Sequence, residues 1–204
     1  MAAAGKKEVR NGAEGRRLPL RVEYDFTLED ALAFNEYHFR RSPAGRKARL
    51  RHTFLPPAVW MGLAAIFETF TRGDANHSFA LALAAVSGMW LLTAPLFLTR
   101  QIRRSVKTMY GEGRNRGLLG RHVMTVTAEG IADEGPGTRT QTRWESIERI
   151  AVGPEHVFIY LNAVAAHVVP ARAFPDREGF ERFVETVRTT ATSAAERRAK
   201  EDAP

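Results

Sequence analysis

A chain of 204 residues with a formal charge of +7, 26% charged residues and no cysteine has the length of one domain or two small ones. The lack of cysteine excludes disulfides, thiolate metal sites and cysteine nucleophiles. The positive charge alone would permit a nucleic-acid partner, so its distribution along the chain has to be resolved before its sign means anything.

Residues 1–17, MAAAGKKEVRNGAEGRR, carry too little apolar surface to offset the entropy of ordering, and a disordered tail is expected. No apolar run with a small-residue cleavage site follows Met1, so no secretory signal is expected. Residues 18–52 are the next unit. From Arg21 to Thr27, Val22, Tyr24 and Phe26 alternate with polar residues, which predicts a half-buried strand. Thr27-Leu28-Glu29-Asp30 has the form of a capping box with aspartate in place of glutamate, opening a helix that runs to about Arg40 and stops before Pro43. Leu28, Leu32, Asn35 and Phe39 are its expected packing face.

Two apolar runs then predict a transmembrane helical hairpin over residues 53–98. Residues 54–70 hold one charge, Glu68, and residues 78–98 hold none. At 1.5 Å per residue the second run spans about 30 Å, the thickness of a hydrocarbon core, and the first lies near the short limit of about 17 residues. Core helices of soluble proteins seldom stay apolar all round for so long. Pro56 and Pro57 fall where the first span is expected to begin, and Pro95 is a candidate kink in the second. Ala58 and Gly62, and then Ala80, Ala84 and Gly88, recur every four residues. That spacing suits close helix contact, with ordinary alanine abundance as the competing explanation. Glu68 is expected at the outer interface, within reach of Arg72 four residues on.

Six cations between residues 40 and 52 and seven between 99 and 121 face a single acid, Glu112. That local excess is larger than the net charge of the chain, so the remainder is acidic and a nucleic-acid face is not expected. Arg46, Lys47, Arg49, Arg51, Arg100, Arg103, Arg104 and Lys107 are the expected membrane-surface contacts, meeting an anionic inner leaflet. The connector holds only Arg72 and Asp74. This asymmetry predicts a plasma-membrane protein with both termini cytoplasmic.

Residues 99–119 are expected to continue the second helix as a basic juxtamembrane segment that Gly111 and Gly113 end. Over residues 120–192, short strand-like runs at 122–127, 131–134, 138–144, 147–152, 156–161 and 166–169 are divided by Glu129-Gly130, Gly135-Pro136-Gly137 and Gly153-Pro154. Asp176 is the expected N-cap of a last helix with Phe180, Phe183, Val184 and Val187 on one stripe. Residues 193–204 lose the stripe and read as a charged tail. The fold class expected is α+β: a two-helix transmembrane hairpin with a cytoplasmic antiparallel β module, pleckstrin-homology-like, closed by the C-terminal helix.

The order of strand, Leu28-Glu29-Asp30 helix, Ser42-Pro43, hairpin, Thr127-Ala128-Glu129-Gly130, Trp144-Glu145-Ser146-Ile147 and Pro170-Ala171-Arg172-Ala173-Phe174 resembles the YcxB-like family of bacterial membrane proteins. The resemblance implies two spans and a cytoplasmic C-terminal domain, and carries no catalytic residues across. Trp144, Ile147 and Phe174 are read as core. Arg172 stays open between a structural ion pair and contact with a ligand or partner.

The stretch from Gly111 to Gly117 lacks a preceding strand and a following Gly-Lys-Ser/Thr, so it is no phosphate loop. The six histidines form no HExxH motif and no i, i+4 pair, and no serine stands in G-x-S-x-G. An enzyme is therefore not expected, nor a cofactor or a metal. The function expected is a membrane-anchored interaction or regulatory module whose partner is a cytoplasmic protein or the chain itself. The alternative is a small self-assembling membrane protein with a transport or pore role.

Overall fold

The computed structural model describes residues 18–71 and 77–201. The tail expected at 1–17, the connector at 72–76 with the Glu68–Arg72 pair, and residues 202–204 lie outside the described residues.

β1 (Leu20–Phe26) alternates buried Val22 and Tyr24 with exposed neighbours, as its period-two sequence requires. α1 (Leu28–Arg41) opens on the capping box: Thr27 Oγ1 accepts from Asp30 N, and the Asp30 carboxylate accepts from Thr27 N. α2 (Pro43–Phe70) follows after the single residue Ser42, whose Oγ caps it by accepting from Gly45 N at 3.0 Å. The corner is so tight that a Cβ on Gly45 would stand 1.9 Å from the Phe39 carbonyl oxygen.

α2 and α3 (Ser78–Gly111) pack side by side as the hairpin. Both are long and apolar enough to cross a membrane, and only 11% of the most apolar window of each is buried. A soluble core helix would bury most of that surface. Here Leu81, Leu92 and Phe70 are 68%, 76% and 83% exposed, which suits a lipid solvent and not water. α3 has 34 residues and a length of about 51 Å, so it extends beyond a hydrocarbon core as the expected basic segment.

Two expectations about the hairpin fail for physical reasons. Pro56 and Pro57 do not begin a helix, because α2 starts thirteen residues earlier at Pro43. They lie inside it, where Pro56 has no N–H for the carbonyl of His52. The Trp90 indole of α3 donates to that carbonyl at 3.2 Å, so the group freed by the proline is bonded across the hairpin. Gly62 and Gly88 do not bring the helices together, since a Cβ at either would meet nothing within 4 Å. The small residues buried between the helices are Ala64, Ser87 and Ala94.

Past a short 3₁₀ turn at Gly113–Leu118, the chain forms β2 (Gly120–Val126), β3 (Gly130–Gly135), β4 (Thr138–Arg143), β5 (Arg149–Val152), β6 (His156–Tyr160), β7 (Ala166–Pro170) and α4 (Arg177–Glu201). The strands make two antiparallel sheets, ordered β1-β2-β3-β4 and β5-β6-β7. β1 pairs with β2 from Leu20 opposite Val126 to Phe26 opposite Gly120. The segments 18–52 and 120–192, expected as separate units, therefore share one sheet across the inserted hairpin.

One core gathers Val22, Met124, Val126, Ile131, Trp144, Val157, Ile159 and Val169 with Phe180, Phe183, Val184 and Val187 of α4. A second lies on the other side of β6 and β7, where Phe34 of α1 packs on Phe158, Tyr160 and Val168. Burial on both faces explains why HVFIY and AHVVP are apolar at successive positions instead of alternating. β4, TRTQTR, is an exposed polar edge, a composition that discourages further strand pairing.

The packing face of α1 also differs from expectation. Asp30, Ala31 and Phe34 are buried, whereas Leu28, Leu32, Asn35 and Phe39 remain partly exposed. The period misled because a carboxylate sits in the contact face. At the other end, α4 does not lose order after residue 192. It continues to Glu201, and Ala194, 4% exposed, joins the core. Alanines are the best helix formers and need little room against a sheet.

Candidate functional site

Because α2 and α3 run antiparallel, the two basic segments meet at one end of the hairpin. Arg46, Lys47, Arg49 and Arg51 of α2, and Arg100, Arg103, Arg104 and Lys107 of α3, are all exposed there. Arg103 Nε donates to Glu36 Oε1 of α1 at 2.5 Å. Arg49 donates to the Arg40 carbonyl at 3.2 Å, satisfying an acceptor left open at the end of α1. The β module stands at this same end, since β1 and β2 leave the hairpin side by side.

Arg172 sits in a short 3₁₀ turn after β7. Its Nη1 donates to Asp30 Oδ1 at 2.6 Å, and its Nη2 donates to Asp30 Oδ2 at 2.5 Å and to the Asp25 carbonyl at 2.8 Å. His156 Nε2 lies 2.8 Å from the same Oδ1. Asp30 itself is fully buried. Burial favours its neutral form, but the bonds from Arg172, His156 and Thr27 outweigh that and hold its pKa well below the carboxylate range. One carboxylate thus caps α1 and fastens it to β1, β6 and the turn after β7. The Arg172 side chain remains 50% exposed.

A second polar cluster joins the sheets. His122 of β2 and His167 of β7 approach the two oxygens of Asp133 of β3, at 3.1 and 3.2 Å through their Nδ1 atoms. His122 Nε2 lies 3.0 Å from the Leu118 carbonyl, in the turn that follows α3. A carbonyl and an ionised carboxylate can only accept, so this pair of neighbours favours the imidazolium form of His122, in which both nitrogens donate. Burial opposes that charge, but the bonds to Asp133 and Leu118 raise the His122 pKa above its ordinary value. Asp133, likewise opposed by burial, is lowered to about 2 by His122 and His167. His167 Nε2 lies 3.3 Å from Thr142 Oγ1. Gly135 is required beside this ring: a Cβ there would lie 2.5 Å from His122 Cε1.

The sequence marked the basic segments and Arg172 as candidates and Thr27–Asp30 as a cap; the structure shows the cap and pairs Arg172 with Asp30. Sequence reasoning missed His156 as an Asp30 partner and the whole His122–Asp133–His167 cluster, whose members stand far apart in the chain. Buried pairs of this kind are structural fastenings by their geometry. Among the described residues no group of three or more acids and histidines is arranged to hold a metal ion.

The chain is of α+β class: two exposed helices, each long and apolar enough to cross a membrane, stand on one two-sheet module. Residues 126–187 match the family model described as YcxB-like protein. The match covers β3 to β7 and the first part of α4, and stops short of β1, the hairpin and nearly all of β2. No curated protein matches the chain.

Proposed function

We propose that this protein is a membrane-anchored, non-enzymatic interaction or regulatory module. The hairpin anchors it in the bacterial plasma membrane with both termini cytoplasmic, and its β module is pleckstrin-homology-like. The observation that carries the reading is the β1–β2 pairing around the hairpin. It fixes a small two-sheet module at the lipid surface instead of tethering it by a loose linker. A four-stranded and a three-stranded antiparallel sheet, with α4 seated in their shared core, support the pleckstrin-homology-like assignment, with α4 as the closing helix. The cations at the base support a cytoplasmic orientation by the positive-inside rule, and the partner is a cytoplasmic protein.

Self-assembly of hairpins, with a transport or pore role, is favoured by one observation. Gly62 and Gly88 face open space, where a second copy could approach closely.

Photocrosslinkers in the full chain, in native membranes, separate the two readings. One probe replaces exposed Arg139 of β4, and the other replaces exposed Leu92 of α3. The expected result is a specific heterologous adduct from position 139. Self-adducts from position 92 alone would overturn the module reading in favour of self-assembly.

A further inference from the structure

Where α1, α2 and α3 converge at the base of the hairpin they leave an open groove of about 460 Å³, within the range of roughly 300–1,000 Å³ usual for small-molecule sites. Its lining changes character along the helix axes. At one end stand Arg40, Arg46 and Arg49; towards the membrane span come Leu50, Phe54, Pro95 and Leu98. We propose that this groove binds one anionic phospholipid of the surrounding leaflet, with its phosphate on Arg40, Arg46 and Arg49 and an acyl chain along Phe54, Pro95 and Leu98.

Charge supports the polar end. Glu36 is the single acid in the lining, and Arg103 already engages its carboxylate. No carboxylate among the described residues pairs with Arg40, Arg46 or Arg49. The one bond recorded for Arg49, to the Arg40 carbonyl, leaves most of its guanidinium donors available while tethering the side chain at the groove. Guanidinium groups suit a phosphate because two parallel N–H donors meet two oxygens of one anion.

Continuity supports the apolar end. Leu50 and Phe54 are 61% and 57% exposed, and they run directly into the lipid-facing surface of α2. A lipid can therefore enter sideways from the bilayer without crossing water. A soluble anion would leave this apolar half unfilled, and for that reason a phospholipid is the favoured occupant over free phosphate.

The inference rests on membrane insertion of the hairpin and is independent of the protein partner proposed above. Its test uses the full chain in detergent micelles, titrated with dioleoyl phosphatidylglycerol or dioleoyl phosphatidylcholine and read by native mass spectrometry. Retention of one phosphatidylglycerol in preference to phosphatidylcholine is expected. The variant R40Q/R46Q/R49Q should weaken that retention at least tenfold or so, while K47Q/R51Q/R100Q, which removes the same charge outside the groove, should change it less than about threefold. Thr53→Trp, which fills the groove and leaves every cation in place, should also weaken it. Equal losses in the two triple variants would reduce the site to diffuse attraction by the basic ring and overturn the proposal. So would unchanged retention in Thr53→Trp, equal retention of phosphatidylcholine, or displacement of the lipid by millimolar inorganic phosphate, which would mark a free-anion site.

Discussion

Replacing Asp30 by alanine tests how α1 is held to the β module. The substitution removes the acceptor of Arg172 and of His156 and one half of the Thr27 capping box. Breaking a buried ion pair costs about 3–5 kcal/mol, but Arg172 is half exposed and regains water, which lowers the figure. Thr27 still caps the helix, so loss of the reciprocal half of the box adds less than about 1 kcal/mol. Together these give an expected destabilisation of about 2–4 kcal/mol. Hydrogen exchange of the full chain in micelles reads it directly, as lost protection of amides in α1, β6 and β7. Arg172→Ala on the Asp30→Ala background should cost much less than Arg172→Ala alone. A loss below about 0.5 kcal/mol, or strictly additive single and double variants, would refute the claim that this carboxylate fastens the helix. The pH dependence has a definite sign. Asp30 has a depressed folded pKa, so its contribution is present above the unfolded value near 3.8 and is lost as pH falls below it.

The His122–Asp133 pair predicts a stability maximum in mildly acidic solution. Asp133 contributes above about 3.8 and loses its contribution as pH falls towards 2, while His122, raised from 6.5, contributes fully below 6.5 and loses it as pH climbs through its folded value. Thermal unfolding between pH 3 and pH 9 checks this, and His122→Gln should flatten the alkaline limb. Gly135→Ala should destabilise the module by about 1–3 kcal/mol, because the His122 ring, bonded at both nitrogens, has no room to move aside; urea unfolding followed by near-ultraviolet circular dichroism measures it. Trp90→Phe should weaken the hairpin by about 0.6–1.7 kcal/mol. The same change should be nearly silent beside Pro56→Ala, which restores a backbone N–H donor for the His52 carbonyl; detergent-denaturation midpoints of the parent, the two single variants and the double variant decide the matter.

Local chemistry made the strands and helices legible. Glu129-Gly130, Gly135-Pro136-Gly137 and Gly153-Pro154 divide β2 to β6 close to the predicted boundaries, and the Phe180, Phe183, Val184 and Val187 stripe is buried as read. What the sequence hid depends on partners distant along the chain. The apolar count along α1 pointed away from Asp30, since nothing near residue 30 announces that Arg172 and His156 will neutralise it. Pro56 looked like a helix start because the acceptor it leaves open is filled by Trp90 from another helix. The tail after Thr192 looked charged and loose because the contact that orders it needs only Ala191 and Ala194. The two histidines around Asp133 carry no spacing signal at all.

The position of β1 ahead of the hairpin has a consequence for biogenesis. β1 is synthesised before either span, and its partner β2 only after both, so the sheet joins residues roughly a hundred positions apart, a costly non-local closure. If a single span inserted, the two strands would emerge on opposite faces of the bilayer and could never meet. Completion of the β module is therefore possible only for chains threaded with both hairpin ends on one side. A misthreaded chain would instead expose an unpaired β2 edge and the apolar stripe of α4, the kind of surface that quality-control proteases recognise.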